Sequence, residues 1–207
     1  MAQRSNGATV KGVIDELQRI VDETLALAMS DVNESEEGKE LAEGTTESEQ
    51  EKQEENDQTQ PPQAPVMQCS MLAQWAHADA YYKVVITKYR GIPIIIRAMK
   101  AFPDDEDIQG TCCRLLTSLT NKVQVFQEGG VDALLNAMKS HPSSIVVQSA
   151  ALEGILALMP LVMHLEENNR EMISNIEKAA KLAQEMYLTE DGNKAVEELL
   201  VQCAKLR

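Results

Sequence analysis

Residues 91–120 read GIPIIIRAMKAFPDDEDIQGTCCRLLTSLT, and the chain repeats this pattern without a gap 39 positions later, as GVDALLNAMKSHPSSIVVQSAALEGILALM in residues 130–159. Internal similarity with a period of about 20–50 residues is typical of proteins that stack similar supersecondary units. Identical residues occupy the positions Gly91/Gly130, Ala98/Ala137, Met99/Met138, Lys100/Lys139, Pro103/Pro142, Gln109/Gln148 and Leu119/Leu158. The pattern therefore predicts a repeat protein.

Each copy divides into two helices by its apolar spacing and its stop signals. The first stripe has i, i+3, i+4, i+7 spacing in both copies: Ile92, Ile95, Ile96 and Met99 in one, Val131, Leu134, Leu135 and Met138 in the other. We expect these residues to be buried. Pro103 and Pro142 end the two helices, because proline lacks the N–H group and clashes with the preceding turn. The following residues offer side-chain oxygens that can cap the next helix: Asp104 and Asp105, Ser143 and Ser144.

A second apolar stripe follows in each copy, and a short helix precedes each copy. The second stripe comprises Ile108, Cys112, Leu115, Leu116 and Leu119 in one copy and Val147, Ala151, Ile155 and Leu158 in the other. Gly91 and the pair Gly129 and Gly130 mark a corner where a left-handed or closely packed backbone favours glycine. Short helical pieces precede these corners at residues 81–89 and 122–128. One unit therefore contains three helices.

This arrangement of a short helix, a glycine corner, a second helix, a proline turn and a longer third helix resembles an armadillo repeat. The resemblance covers residues 81–159 and implies an all-α, right-handed superhelical solenoid of about three repeats. We assign residues 66–207 to this domain, with repeats near 81–120 and 121–160. Residues 71–76 are interpreted as the end of a preceding third helix, with Trp75 in the position of Leu119. We interpret residues 161–207 as a divergent cap, in which Gly192 divides the helical stretch 166–206 into a hairpin.

The resemblance also implies a binding surface, because armadillo proteins bind extended peptides in a concave groove lined by their third helices. In importin-like members a Trp and an Asn four residues apart hold the peptide. The matching positions here are Arg114 and Ser118 in one repeat and Glu153 and Ala157 in the next, which puts recognition of basic import signals in doubt. The candidate partner-binding groove comprises Arg114, Thr117, Ser118, Asn121, Glu153 and Ala157. The alternative is that these residues form an ordinary solvated helix face.

Residues 1–30 contain an amphipathic helix, whose apolar residues have helical spacing: Val10, Val13, Ile14, Leu17, Ile20, Val21 and Leu25. Such a helix either packs back on the main domain or is marginal alone. A third interpretation, a membrane-surface helix, requires a basic polar face that this segment lacks.

Residues 31–65 carry 12 acidic residues against Lys39 and Lys52 and end in a proline-rich run. Few of their side chains are apolar, so burial cannot offset the entropy of ordering this segment. We expect a disordered acidic linker; its alternative role is an acidic segment that competes for a basic partner.

Composition narrows the class of protein. The 207 residues have a net charge of −14, 43% hydrophobic residues and 3% aromatic residues, which favours stacked helices over an aromatic-rich sandwich. The apolar runs are shorter than the roughly 20 residues that cross a bilayer, and residues 1–17 lack the pattern of a signal peptide. Four cysteines without framework spacing fit a reducing compartment and no disulfide. We expect a cytoplasmic or nuclear protein that does not bind membranes.

No pattern typical of catalysis, metal binding or cofactor binding is present. His77, His141 and His164 lie in different units and outside any known catalytic signature. Cys112 and Cys113 are adjacent, which is unsuitable for a shared metal, so we interpret them as core thiols; a redox-sensitive pair on a binding surface is the alternative.

The 19 basic residues are scattered, which argues against nucleic acid. We predict a non-enzymatic protein or peptide-binding module of undefined oligomeric state. The alternatives are a regulator that grips a folded nucleotide-binding partner, such as a chaperone or small GTPase, and an enzyme whose site the sequence does not reveal.

Overall fold

The computed structural model describes residues 2–37, 64–163, 170–186 and 190–205, and every regular element in these ranges is an α-helix. The helices are α1 (Ala2–Glu37), α2 (Val66–Ala78), α3 (Ala80–Lys88), α4 (Gly91–Ala101), α5 (Glu106–Ser118), α6 (Lys122–Gln127), α7 (Gly130–Ser140), α8 (Ile145–Met163), α9 (Arg170–Met186) and α10 (Glu190–Ala204). The all-helical class predicted from the sequence is confirmed.

The helices form two parallel stacks. Second helices pack in the order α1, α4, α7, α9, and third helices pack in the order α2, α5, α8, α10. The short first helices α3 and α6 complete two three-helix units, α3–α5 and α6–α8. The described chain therefore contains two complete units between two layers of two helices each, α1 with α2 and α9 with α10.

The glycine corners have a steric cause in both units. A Cβ atom on Gly91 would lie 2.6 Å from Ile86 Cγ2, and one on Gly130 would lie 2.6 Å from the Val125 carbonyl oxygen. Both glycines are therefore required for close approach of the first and second helices. The left-handed residue is the one before: Gly129 has φ 85°, and Arg90 takes the same region with φ 60°.

A buried glutamine connects the second and third helices of each unit. Gln109 Nε2 donates to the carbonyl oxygens of Met99 (2.7 Å) and Phe102 (2.8 Å). Its counterpart Gln148 donates in the same way to Met138 (2.7 Å) and His141 (3.0 Å). These carbonyls end α4 and α7, where intrahelical partners are missing. This shared role explains why both copies of the repeat have glutamine at this position.

The predicted helix starts are confirmed at the residue adjoining each third helix. Asp105 Oδ1 accepts a hydrogen bond from the Ile108 amide (2.9 Å), and Ser144 Oγ accepts one from the Val147 amide (3.2 Å). Ser144 Oγ also donates to Glu106 Oε1 (2.6 Å), which joins the two units. The caps thus fix both the helix start and the spacing of the units.

The N-terminal helix packs back on the solenoid. Its residues Val10, Ile14, Leu17 and Val21 are at most 1% exposed, and α1 packs against α2, α3 and α4. Arg97 of α4 forms an ion pair with Asp22 of α1. The helix extends to Glu37 because no glycine or proline follows Gly12 before Gly38. Its end therefore lies inside the range 31–65 assigned to the acidic linker; residues 38–63 lie outside the described residues.

Three further expectations require correction. Leu135 is only half-buried, whereas its counterpart Ile96 is 2% exposed. The two helices of the predicted terminal hairpin, α9 and α10, pack against each other, but they are not divided at Gly192. Gly192 lies in the first turn of α10, where amide groups have no intrahelical acceptor. The boundary at residue 160 falls within α8, because Pro160 is exposed and the helix continues to bury Val162.

One described helix, α8, is long and apolar enough to cross a membrane, with a mean hydropathy of 1.9. The sequence predicts no such segment because Gln148, Ser149 and Glu153 interrupt its apolar residues. In the structure 56% of this segment is buried, and α8 packs against α5, α7 and α10. These contacts are those of a core helix in a repeat protein.

Candidate functional site

The exposed surface of the third helices α2, α5 and α8 is the candidate site, and we call it the third-helix face. Arg114 on α5 and Glu153 and Ala157 on α8 are exposed, and Ser118 on α5 is half-buried. Residues four apart on a helix share one side, so Arg114 with Ser118 and Glu153 with Ala157 form two adjacent rows. The structure brings these four predicted residues to one pair of packed helices.

Thr117 does not belong to this face. Its hydroxyl donates to the carbonyl oxygen of Cys113 (2.8 Å) and lies 3.2 Å from the carbonyl oxygen of Ala150 on α8. A Cβ atom on Gly154 would lie 2.7 Å from the same hydroxyl. Thr117 therefore lies between α5 and α8, where it helps to set their separation.

Asn121 has a structural role at the start of α6. Its side-chain oxygen accepts a hydrogen bond from the Gln124 amide (3.1 Å), and its amide group donates to Gln124 Oε1 (3.1 Å). The neighbouring Lys122 Nζ donates to the Leu116 carbonyl (3.4 Å) and to the Thr117 carbonyl at the end of α5. Partial burial lowers the pKa of Lys122. This corner is thus organised by its own hydrogen bonds.

A cavity of about 360 Å³ opens between α2 and α5. Two predicted residues, Arg114 and Ser118, line it together with Thr111 and Leu115 of the same helix. The α2 side contributes Ser70, Ala73, Gln74 and His77. Below it the helices are in contact, since the Sγ atoms of Cys69 and Cys112 lie 3.6 Å apart.

The contribution of α2 was not predicted, although its sequence carries the signal. Cys69, Leu72 and Ala76 are fully buried at i, i+3, i+7 spacing, so the opposite residues face outward. The interpretation that Trp75 takes the position of Leu119 is wrong. Ala76 is the buried residue, while Trp75 is half-buried and stacks on Tyr82 with ring centroids 6.0 Å apart.

A larger cavity of about 810 Å³ lies between α7 and α9. Its apolar lining includes Leu135, which is half-buried, and Leu182, which is 65% exposed. Both charge signs line it: Asp132 and Glu185 with Lys139 and Lys178. Because both signs are present, the lining favours neither an anionic nor a cationic ligand. The cavity lies in the stack of second helices, away from the residues of the predicted partner-binding groove.

The described histidines and cysteines do not assemble a reactive centre. His141 Nε2 lies 2.8 Å from the Pro103 carbonyl oxygen at the contact between the units, whereas His77 lines the α2–α5 cavity; His164 lies outside the described residues. Among the described residues no three His, Cys, Asp or Glu side chains are grouped as a metal would require. Cys112 and Cys113 are fully buried, which excludes the alternative of a redox pair on the binding surface.

Burial should make the thiols unreactive in the folded chain. Burial raises the pKa of Cys113 to about 12, and the hydrogen bond to Cys69 together with burial holds the pKa of Cys112 well above its ordinary value. Because the thiolate is the reactive form, none of the four buried cysteines should react rapidly with a disulfide reagent at pH 8. All four should react in concentrated urea. Rapid labelling of the folded chain at either Cys112 or Cys113 would contradict this burial.

Comparison with known proteins gives two matches. A family model described as LRRK2 ARM repeat matches residues 63–202. Protein aardvark of Dictyostelium discoideum is 32% identical over 80 residues, which cover 32% of this chain and 11% of that protein. The present chain thus spans about a tenth of the length of this curated relative. No solved structure matches the chain at a significant level.

Proposed function

Because this chain belongs to the LRRK2 ARM repeat family, whose repeats generally mediate contacts between proteins, we propose that its third-helix face binds an extended segment of a partner protein. One observation carries this proposal. Exposed polar side chains lie on three successive third helices: Gln74 and His77 on α2, Arg114 on α5 and Glu153 on α8. Those on α2 and α5 line the cavity between these two helices. Stacked repeats form extended surfaces of this kind.

The chemistry of the face suits a main chain in extended conformation. Amide, imidazole and hydroxyl groups can exchange hydrogen bonds with backbone amides and carbonyls. The sign of charge changes from Arg114 on α5 to Glu153 on α8, which favours one direction and one register of the bound segment. Neither the Trp nor the Asn of importin-like repeats occupies the matching positions, so we do not propose basic import signals as ligands.

We further propose that the chain acts as a non-catalytic scaffold in the cytoplasm or nucleus. The family is of a non-catalytic repeat type, and buried thiols suit a reducing compartment. Fluorescence imaging of the tagged chain tests the location: signal confined to the secretory pathway would contradict it.

Site-directed photocrosslinking tests the binding face. A photoreactive residue at Gln74 or Ala157 should capture the same partner, because both positions are exposed on third helices. The matched control is Lys88, which is exposed on the first helix α3 and should capture little of that partner. Crosslinks should map to one contiguous segment of the partner. Crosslinks spread over a folded nucleotide-binding domain would instead support the regulator hypothesis.

Charge reversal then measures the contribution of the face. Arg114→Glu should weaken binding of the captured partner by about 1 kcal/mol or more, while the thermal stability stays unchanged because Arg114 is exposed. Lys88→Glu is the control. Arg97→Glu is unsuitable, since it would place a second acid beside Asp22 of α1. Equal loss of binding from Arg114→Glu and Lys88→Glu would place the interface elsewhere.

A further inference from the structure

The cavity between α2 and α5 differs from the rest of this acidic chain in its charge. The chain carries a net charge of −14, yet none of the described Asp and Glu residues lines this cavity. Its polar lining includes the Arg114 guanidinium, the His77 ring, the Gln74 amide and the Ser70 hydroxyl. All four groups can donate hydrogen bonds, and Arg114 carries a fixed positive charge. A cavity with these donors is complementary to an anion.

Arg114 is also available for a ligand. Some basic residues of the described chain are engaged: Arg19 pairs with Glu16 and Glu23, and Lys181 pairs with Glu177. Arg114 forms no ion pair with any described residue, although Glu153 lies on the adjacent third helix. Its side chain is exposed at the wall of the cavity. The guanidinium can therefore bind an external acid without breaking an internal contact.

We propose that this cavity is the subsite for one acidic side chain, Asp or Glu, of the partner segment; this inference rests on the proposed function of the third-helix face. The guanidinium binds a carboxylate through two parallel N–H···O bonds, a geometry that matches its planar fork. His77 and Gln74 on α2 donate from the opposite wall. Among the described residues the cavity is lined by one arginine, whereas phosphate groups are typically recognised by clusters of arginines. The lining therefore favours a carboxylate over a phosphorylated side chain.

The test uses small probes and the full-length chain labelled for NMR. N-acetylglutamate α-amide, which keeps only the side-chain carboxylate, is titrated at constant ionic strength against its neutral match, N-acetylglutamine α-amide. The signals to follow are the Nε–Hε group of Arg114 and the ring of His77. The corresponding signal of Arg90, which is exposed on a corner outside the cavity, reports non-specific attraction to a guanidinium.

We expect the glutamate probe to bind at Arg114 at least about fivefold more tightly than at Arg90, and the glutamine probe to show no such preference. His77 should shift in parallel with Arg114. In Arg114→Gln, the His77 signal should no longer respond more strongly to the glutamate probe than to the glutamine probe. In the control Lys88→Gln this difference between the probes should persist. Both substitutions change an exposed residue.

Three results would overturn the subsite: equal affinity at Arg114 and Arg90, equal response to the two probes, or a response of His77 that survives Arg114→Gln. A tighter complex with N-acetylphosphoserine α-amide would also overturn the choice of a carboxylate. These failures are distinguishable from failure of the proposed function. A partner crosslinked at Gln74 and Ala157 without a glutamate preference at Arg114 removes only the subsite, whereas loss of those crosslinks removes the binding face.

Discussion

Leu134→Ala should lower the free energy of unfolding by about 2–5 kcal/mol, because it creates a cavity where α7 packs against α8. Leu134 on α7 is fully buried, and its side chain packs close to Gly154 on α8: the Leu134 Cδ1 atom would lie 2.9 Å from a Cβ atom at that glycine. No smaller neighbour can move in to fill the space without separating the second and third helices. Urea titration at equilibrium measures the loss.

Leu135→Ala is the matched control on the same helix. Leu135 is half-buried at the edge of the α7–α9 cavity, so its truncation should cost about 1 kcal/mol, below the range for fully buried leucines. An equal or larger loss from Leu135→Ala than from Leu134→Ala would show that α7 is rotated relative to the structure described.

Gly130→Ala should be the most disruptive single methyl addition, with a loss of about 3 kcal/mol. The new Cβ would lie 2.5 Å from Val125 Cγ1 and 2.6 Å from the Val125 carbonyl oxygen. A side chain can rotate away, but the carbonyl belongs to the backbone of α6, so the first and second helices must separate. Gly91→Ala should act in the same way in the preceding unit, where Ile86 makes the equivalent contacts.

Gly12→Ala provides a control of opposite sign. Gly12 lies on the exposed side of α1 with no atom within 4 Å of an added Cβ, so alanine should stabilise the chain by about 0.5–1 kcal/mol. Thermal and urea unfolding of the three variants tests the comparison. Stability of Gly130→Ala equal to the unmodified chain would mean that glycine is not required by the corner.

The repeat was predictable because each of its features has a local cause. Proline stops, cap residues and apolar stripes act within one or two turns, so they can be read from residues 91–159 alone. Leu135 shows where this reasoning ends. Its counterpart Ile96 lies on α4, which packs between α1 and α7, whereas α7 meets α9 across a cavity. Burial there depends on the neighbouring layer, which the internal repeat does not encode.

The candidate site was predictable in part for the same reason. The spacing of Arg114, Ser118, Glu153 and Ala157 places them on one face of each helix, and the structure agrees. Thr117 was misplaced because a shift of one residue, a rotation of about 100° around the helix, decides between the exposed face and the contact with the next helix. Its hydrogen bond to the Ala150 carbonyl connects two units. His77 and Gln74 were missed because α2 lies outside the internal repeat of residues 91–159, which reveals the other third helices.

The position of α1 has a thermodynamic consequence. This helix occupies the second-helix place of the first layer, yet residues 38–63 separate it in sequence from α2, its partner in that layer. The packing of α1 on α4 can therefore be treated as the binding of a ligand that is covalently connected to its site. The fraction of chains with α1 bound then depends on the effective concentration that the connection provides. For a flexible connection, each doubling of length adds only about 0.6 kcal/mol to the cost of closing the loop. The composition of residues 38–63 predicts such a connection, so we expect insertions between Glu37 and Ala64 to be inexpensive for the fold.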